Sequence, residues 1–382
     1  MNLNVCMVIS YFYPFVGGAE GQALKLAQEL KKKGIDIFIV TRRVRGLSKF
    51  ESFKGIDLYR LWGLGKDNRI SSLFFSINLL FFLIKKRSQY QIIHCHLLST
   101  LTVICILIGK LLNKKVIAKL GGSGRYGDLW AIKNKALLGR AKLWVLINYI
   151  DLFICPSREI RQELLNTGTS QDKVMMIPNG VSINNFFPLD LFLKQELKQK
   201  MGMKGQLIIF SGRLSPEKDL ETLLSVFKEI VKDYEIALLI LGAGPLESKY
   251  QDWVGQNQLK EKVYFLGNIE KVTPYLQISD IFVLPSLSEG LSNSLLEAMA
   301  CGIPAVVTDI GGNRDMIHDG INGFLFVPQN KARLKEKLVF LLENPTEKER
   351  LRKEARKTIE ERYTLELVAK RYIDCYKALL GG

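Results

Sequence analysis

Two pairs of charged residues sit where short apolar runs give way to polar, glycine-bearing turns: Arg213 with Lys218, and Glu289 with Glu297. The second pair lies in Ser286-Leu287-Ser288-Glu289-Gly290-Leu291-Ser292-Asn293-Ser294-Leu295-Leu296-Glu297, directly after the apolar run 281–285. Glu289 falls in the loop and Glu297 in the helix that follows. Gly290, Leu291 and Ser292 put backbone N–H groups at that helix's N-terminus, an end that suits a diphosphate because its first N–H groups have no partner inside the helix. Carboxylates flanking such an end can accept hydrogen bonds from sugar and ribose hydroxyls. A blander reading stays open: Ser294-x-x-Glu297 matches a capping box, and Glu289 can be a solvated loop residue. The first pair lies in Gly212-Arg213-Leu214-Ser215-Pro216-Glu217-Lys218-Asp219, again after an apolar run. Arg as a planar fork and Lys as a point charge can both reach a diphosphate at a strand end.

The elements that must position these groups follow from the periodicity. Continuous apolar runs at 3–10, 35–41, 91–95, 115–120, 151–156 and 174–177 alternate with helical patterns such as 19–33, and the first run is followed by the turn Tyr13-Pro14-Phe15-Val16-Gly17-Gly18. The pattern restarts after Pro178-Asn179-Gly180 and the polar stretch 184–188, with runs at 206–211, 236–241, 263–266, 281–285, 305–308 and 324–327. Runs without polar alternation indicate parallel strands covered on both faces. The expectation is an α/β protein of two Rossmann-like, doubly wound parallel-sheet domains, 1–187 and 188–360, facing across a cleft, with a C-terminal helical segment 361–382 crossing back to the first. Open parallel sheets bind ligands at the carboxyl ends of their strands.

The ordered set of motifs resembles the retaining GT-B enzymes of glycosyltransferase family 4, the group 1 glycosyltransferases, nearly end to end. The matching pieces are Gly17-Gly18-Ala19-Glu20, Ile93-His94-Cys95-His96, Ile177-Pro178-Asn179-Gly180-Val181, Gly212 to Asp219, Gly242-Ala243-Gly244-Pro245-Leu246, and the Glu289/Glu297 pair within 289–304. The resemblance implies that Arg213 and Lys218 neutralise the diphosphate of a nucleotide-sugar donor and stabilise the departing nucleotide. It implies that Glu289 holds the hydroxyls of the transferred sugar, that Glu297 holds the ribose, and that Gly17 and Gly18 let backbone approach the donor. It implies reaction on one face of the sugar, the leaving phosphate helping to deprotonate the acceptor, with no protein nucleophile, no metal and no cofactor beyond the nucleotide-sugar co-substrate. One departure stands out. Many relatives carry a histidine after the strand matching 116–120, where this chain has Gly121 in Gly121-Gly122-Ser123-Gly124-Arg125-Tyr126-Gly127-Asp128. Arg125 and Asp128 are candidates for acceptor contacts, as is His96; His94 is expected to be packed.

The chain has 382 residues, 47% hydrophobic and 24% charged, with a net charge of +16, a composition that suits two folded domains. Residues 1–187 hold 27 Lys and Arg against 11 Asp and Glu, whereas 188–382 hold 27 of each, so the whole surplus lies in the first half. A basic half attracts phosphate as nucleic acid, lipid head group or substrate. Six scattered cysteines form no C-x-x-C pair and read as buried thiols. No basic lead or cleavage site precedes the first strand-like run, which predicts a cytoplasmic chain. The apolar stretches 70–84 and 97–112 fall short of a membrane span. The first, with Phe-rich 73–82 beside Lys85, Lys86 and Arg87, also suits a helix resting on an anionic membrane surface. The partners expected are therefore a UDP- or GDP-sugar donor, a saccharide or polyprenyl-diphosphate-linked acceptor in surface polysaccharide assembly, and an anionic membrane surface. A sugar-nucleotide 2-epimerase of the same fold is the rival enzyme, disfavoured by the two charged pairs. A nucleic-acid binder is disfavoured because no aromatic residues interleave the basic clusters.

Overall fold

The computed structural model describes residues 3–14, 17–63, 69–135 and 138–381; Phe15 and Val16 of the first predicted turn lie outside them. The chain divides into two compact units, Met1–Gly180 with Leu365–Gly382, and Val181–Thr364.

The strands of the first unit are β1 (Asn4–Ile9), β2 (Asp36–Arg42), β3 (Phe50–Phe53), β4 (Ile56–Leu61), β5 (Ile92–His96), β6 (Lys115–Lys119), β7 (Leu152–Cys155) and β8 (Val174–Met176). They form one sheet in the order β3-β4-β2-β1-β5-β6-β7-β8. Side chains alternate between its two faces. Cys6 and Val8 of β1 join the core under helices α2 (Arg69–Lys85), α3 (Thr100–Leu111), α4 (Asp128–Lys135), α5 (Gly139–Tyr149) and α6 (Arg158–Leu165). Val5, Met7 and Ile9 join the core under the first helix, Gly18–Lys32, here α1, and the final helix of the chain, Leu365–Leu380. Both faces are thus dry, which is why these strands read as unbroken apolar runs. The exception is the β3–β4 hairpin. β3 is antiparallel to β4 and turns at Lys54 and Gly55, both at positive φ, so the sheet is not wholly parallel as the sequence predicts.

In the second unit β9 (Gln206–Ser211), β10 (Ile236–Leu241), β11 (Val263–Gly267), β12 (Ile281–Leu284), β13 (Ala305–Thr308) and β14 (Phe324–Phe326) form an all-parallel sheet in the order β11-β10-β9-β12-β13-β14. Its helices are α7 (Leu191–Lys200), α8 (Leu220–Ile230), α9 (Glu247–Gln256), α10 (Thr273–Ile278), α11 (Asn293–Ala300), α12 (Gly311–Met316), α13 (Lys331–Glu343) and α14 (Pro345–Arg362). In α8 the buried Leu220, Leu223, Leu224, Phe227 and Ile230 recur at helical spacing and form the stripe that faces the core.

Both sheets reverse winding direction once, between β1 and β5 in the first and between β9 and β12 in the second. At such a switch point the loops leaving the two central strands diverge and open a crevice at their carboxyl ends. The loops concerned begin at 10–14 and 97–99 in one unit, and are 212–219 and 285–292 in the other. In the second unit the crevice is walled by close backbone approaches. Gly242, at φ 123°, lies so near Gly212 that a Cβ would collide with its carbonyl oxygen. Gly312 at the start of α12 meets the Gly290 carbonyl in the same way, with Leu291 Cα 2.8 Å from where a Cβ would stand.

A methyl group at either position must push backbone rather than a flexible side chain. Gly312→Ala is therefore expected to destabilise the protein by about 2 kcal/mol, lowering the melting temperature by roughly 4–8 °C for a unit of this size. Thermal unfolding followed by circular dichroism checks this; an unchanged melting temperature would show that the Gly290 loop yields.

Candidate active site

The donor-type groups of the second unit converge on the β9/β12 switch point. The turn Pro216–Lys218 and the loop after β12 are stitched together by backbone, Leu287 N–H donating to the Glu217 carbonyl at 2.8 Å. Lys218 Nζ reaches Glu289 Oε1 at 2.5 Å, and Ser286 Oγ donates to the same oxygen at 2.8 Å. Glu289 is only 8% exposed, so it is no solvated loop residue; a buried carboxylate needs such partners. Ser286 and its neighbours are held in turn by Thr308 Oγ1, which donates to the Ser286 carbonyl at 2.6 Å, while Asn313 Nδ2 donates to the Thr308 carbonyl at 3.0 Å. Gly290, Leu291 and Ser292 are buried against α12. The cap of α11 is Ser292, whose Oγ accepts from Leu295 N at 3.3 Å. Ser294 therefore is not the cap, which removes the capping-box reading of Glu297; that residue lies half-buried on α11.

Arg213 is exposed, and among the described residues no hydrogen bond or ion pair occupies its guanidinium. A cation, an ion pair and the N-terminus of α11 thus surround one strand-end crevice. The cation and the helix end suit an anion, and the buried carboxylate suits hydroxyl donors. Sequence reasoning singled out Arg213, Lys218, Glu289 and Glu297 but missed the roles of Ser286, which bonds Glu289, and of Thr308 at the end of β13 and Asn313 in α12, which hold Ser286. Among the described residues no group of three His, Cys, Asp or Glu side chains is arranged to hold a metal ion.

In the first unit Gly17 is the exposed N-cap of α1, with its carbonyl accepting from Gly21 N at 3.0 Å, and Gly18 opens the helix. His96 ends β5 at the switch point, but its ring is buried, 5% exposed, stacked on His94 with centroids 4.4 Å apart. It lines a crevice with Ser10, Ser99 and Thr102 that is too tight for a water molecule. His94 Nδ1 pairs with Tyr376 of the final helix at 2.8 Å. Burial, with Lys119 nearby, holds His94 down to about 3, and burial with His94 and Lys119 holds His96 well below the usual imidazole range. Asp128 turns inward: Oδ2 accepts from Gly121 N at 2.6 Å and Gly122 N at 3.2 Å. Burial still raises its carboxyl above the usual range, with those backbone donors opposing. Asp128 thus shapes the glycine loop, while Arg125 stands exposed on it. The space that a side chain at Gly121 would occupy is filled by Leu97.

Lys119, at the end of β6, is buried beside both histidines with no carboxylate partner among the described residues; its ammonium donates to Asn179 Oδ1 at 2.7 Å and lies 6.0 Å from the Tyr372 ring centroid. Burial lowers it from the ordinary lysine value to about 8.

Two sequence models match the chain: that described as Glycosyltransferase Family 4 over residues 16–185, and that described as Glycosyl transferases group 1 over residues 194–358. Anabaena HepE, solved with UDP and glucose, superimposes with a TM-score of 0.82 at 16% identity over 98% of this chain and 99% of that one. The two doubly wound units are those of the GT-B fold. An uncharacterized glycosyltransferase of Methanocaldococcus jannaschii is 26% identical over 97% of both chains. The UDP-Gal:α-D-GlcNAc-diphosphoundecaprenol α-1,3-galactosyltransferase of Escherichia coli is 35% identical over 40% of this chain and 41% of its own. The chain belongs to the group 1 glycosyltransferases of family 4 and is a glycosyltransferase.

Two outcomes follow. Ser286→Ala removes one hydrogen bond to a charged group, worth about 1.5–3 kcal/mol, so donor turnover should fall at least about tenfold while circular dichroism stays unchanged. Unaltered turnover would mean that Lys218 alone fixes Glu289. For Lys119, the folded value near 8 lies below the unfolded one near 10.5, so between them the unfolded chain binds more protons and stability rises with pH. The penalty of the buried ammonium is complete below pH 8. Lys119→Met should therefore be stabilising at pH 7, with the advantage vanishing as pH approaches 10.5; urea titrations of both proteins across pH 7–10 measure it, and parallel curves would refute it.

Proposed function

We propose that the protein transfers a sugar with retention from a UDP- or GDP-sugar to a saccharide or polyprenyl-diphosphate-linked acceptor, without a metal ion, at the cytoplasmic side of a membrane in surface polysaccharide assembly. The observation that carries the reading is the cluster at the β9/β12 switch point: exposed Arg213, the Lys218–Glu289 pair and the capped N-terminus of α11. The Escherichia coli relative, whose name pairs a UDP-sugar with a lipid diphosphate acceptor, and HepE, solved with UDP and glucose, support the donor and acceptor classes.

In this reading Arg213 and Lys218 neutralise the donor diphosphate, the task a divalent cation would otherwise perform. The arriving phosphate competes for Lys218, so that Glu289, still aimed by Ser286, can accept from hydroxyls of the sugar. Glu297 accepts from the ribose, and the backbone of Gly290–Ser292 meets a phosphate oxygen. The bond from the anomeric carbon to the phosphate oxygen breaks as the bond to the acceptor oxygen forms on the same face. The acceptor proton passes to the departing phosphate.

Calorimetric titration with UDP, GDP and their sugars, in the presence of EDTA, should give selective binding that weakens at least about tenfold in Arg213→Ala and Glu297→Ala, corresponding to about 1.4 kcal/mol. NMR of the product's anomeric proton should show the donor's configuration retained. An inverted product, a strict metal requirement, or an epimerised donor without transfer would each overturn the corresponding part.

A further inference from the structure

We propose that the outer surface of α2, α3 and α5 is a docking face for an anionic phospholipid bilayer. This sharpens the membrane part of the proposed function and is independent of the donor chemistry.

The three helices lie side by side, α2 packing on α3 and α3 on α5, over one face of the first sheet. In each, the residues that face the sheet are known: Phe75, Leu79 and Leu83 in α2, Cys105 in α3 and Leu146 in α5 are fully buried. A shift of two residues turns an α-helix by about 200°, to its opposite side. Yet there the chain places more apolar groups. Leu73, Ile77 and Phe81 lie two residues before the buried positions of α2, Leu107 and Leu111 lie on the far side of α3, and Trp144 lies two residues before Leu146. These are heavily exposed: 60% for Leu73, 65% for Phe81, 69% for Leu111 and 59% for Trp144. Helices over a sheet in water ordinarily carry polar groups on that side, and exposed apolar side chains gathered on adjacent helices mark an interaction site.

Charge decides the occupant. Residues 69–150 contain 13 Lys and Arg and a single acid, Asp128, whose carboxylate is taken by the backbone of Gly121 and Gly122. Lys85, Arg87 and Lys110 stand exposed around the carboxyl ends of α2 and α3. Lys86 does not join them, its ammonium lying 5.0 Å from the Tyr59 ring centroid. A second copy of so basic a surface would repel this one, whereas anionic head groups attract it by about 1 kcal/mol per lysine or arginine. Trp62, Trp130 and Trp144, three of the four tryptophans, are all exposed in this region, as befits residues that favour the boundary between head groups and acyl chains. No helix among the described residues is long and apolar enough to cross a membrane, so the contact is peripheral.

The full chain, without donor or acceptor, should co-sediment with phosphatidylcholine vesicles containing phosphatidylglycerol and leave them at high salt, and it should ignore pure phosphatidylcholine. The triple variant Phe81→Ser/Leu111→Ser/Trp144→Ser should bind at least tenfold more weakly, as should Lys85→Gln/Arg87→Gln/Lys110→Gln, both keeping wild-type circular dichroism and nucleotide affinity. Should the apolar variant fail to fold, brominated lipids test the same point by quenching the tryptophan emission of the unaltered protein. Wild type that stays in the supernatant, an apolar variant that binds as well as wild type, unquenched emission, or a dimer in solution that the apolar variant abolishes would overturn the proposal.

Discussion

A carboxylate buried to 8% exposure cannot stay charged without company, and the company Glu289 keeps organises the second unit's crevice. Its ion pair with Lys218 ties the turn after β9 to the loop after β12, the two segments that topology sends apart. Ser286 fixes the remaining direction, and Thr308 and Asn313 fix Ser286 from the end of β13 and from α12. The glycines follow from the same demand. Neighbouring segments can crowd one strand end only if backbone meets backbone, so Gly242 and Gly312 stand where any Cβ would collide. Lys218 and Glu289 are thereby fixed against each other at the strand end.

The two units solve a related problem with opposite chemistry. In the second, the switch point gathers charge that is partly exposed. In the first, the corresponding strand end gathers His94, His96 and Lys119 under cover, with Tyr372 and Tyr376 of the final helix packed on His94 and Tyr372 also facing Lys119. A helix more than two hundred residues away in sequence thus completes the environment of β5 and β6.

That distance explains what was legible in the sequence and what was not. Strands buried on both faces announce themselves as unbroken apolar runs, and most were readable to within a residue or two. The hairpin β3–β4 was not, because β3 alternates between half-buried and exposed positions and carries no such run. The charged residues of the site stood out because each follows a strand directly. Ser286, Thr308 and Asn313 did not, since a buried hydroxyl or amide acquires meaning only when the fold brings its partner. His96 read as a candidate acceptor contact for the same reason: nothing near it in sequence tells that its ring is buried and stacked on His94. Gly121 was noticed as a departure, and only the fold shows that Leu97 occupies the vacated space.

The thiols give this architecture an internal reporter. Cys301 sits alone in the core of the second unit, while Cys6, Cys95, Cys105, Cys155 and Cys375 are sealed in the cores of the first. Burial pushes Cys155, Cys301 and Cys375 up to about 12, so almost none is thiolate at neutral pH and a reagent must wait for the surrounding core to open. Modification of one thiol against five therefore times the opening of each unit separately in the unaltered chain, with no label introduced.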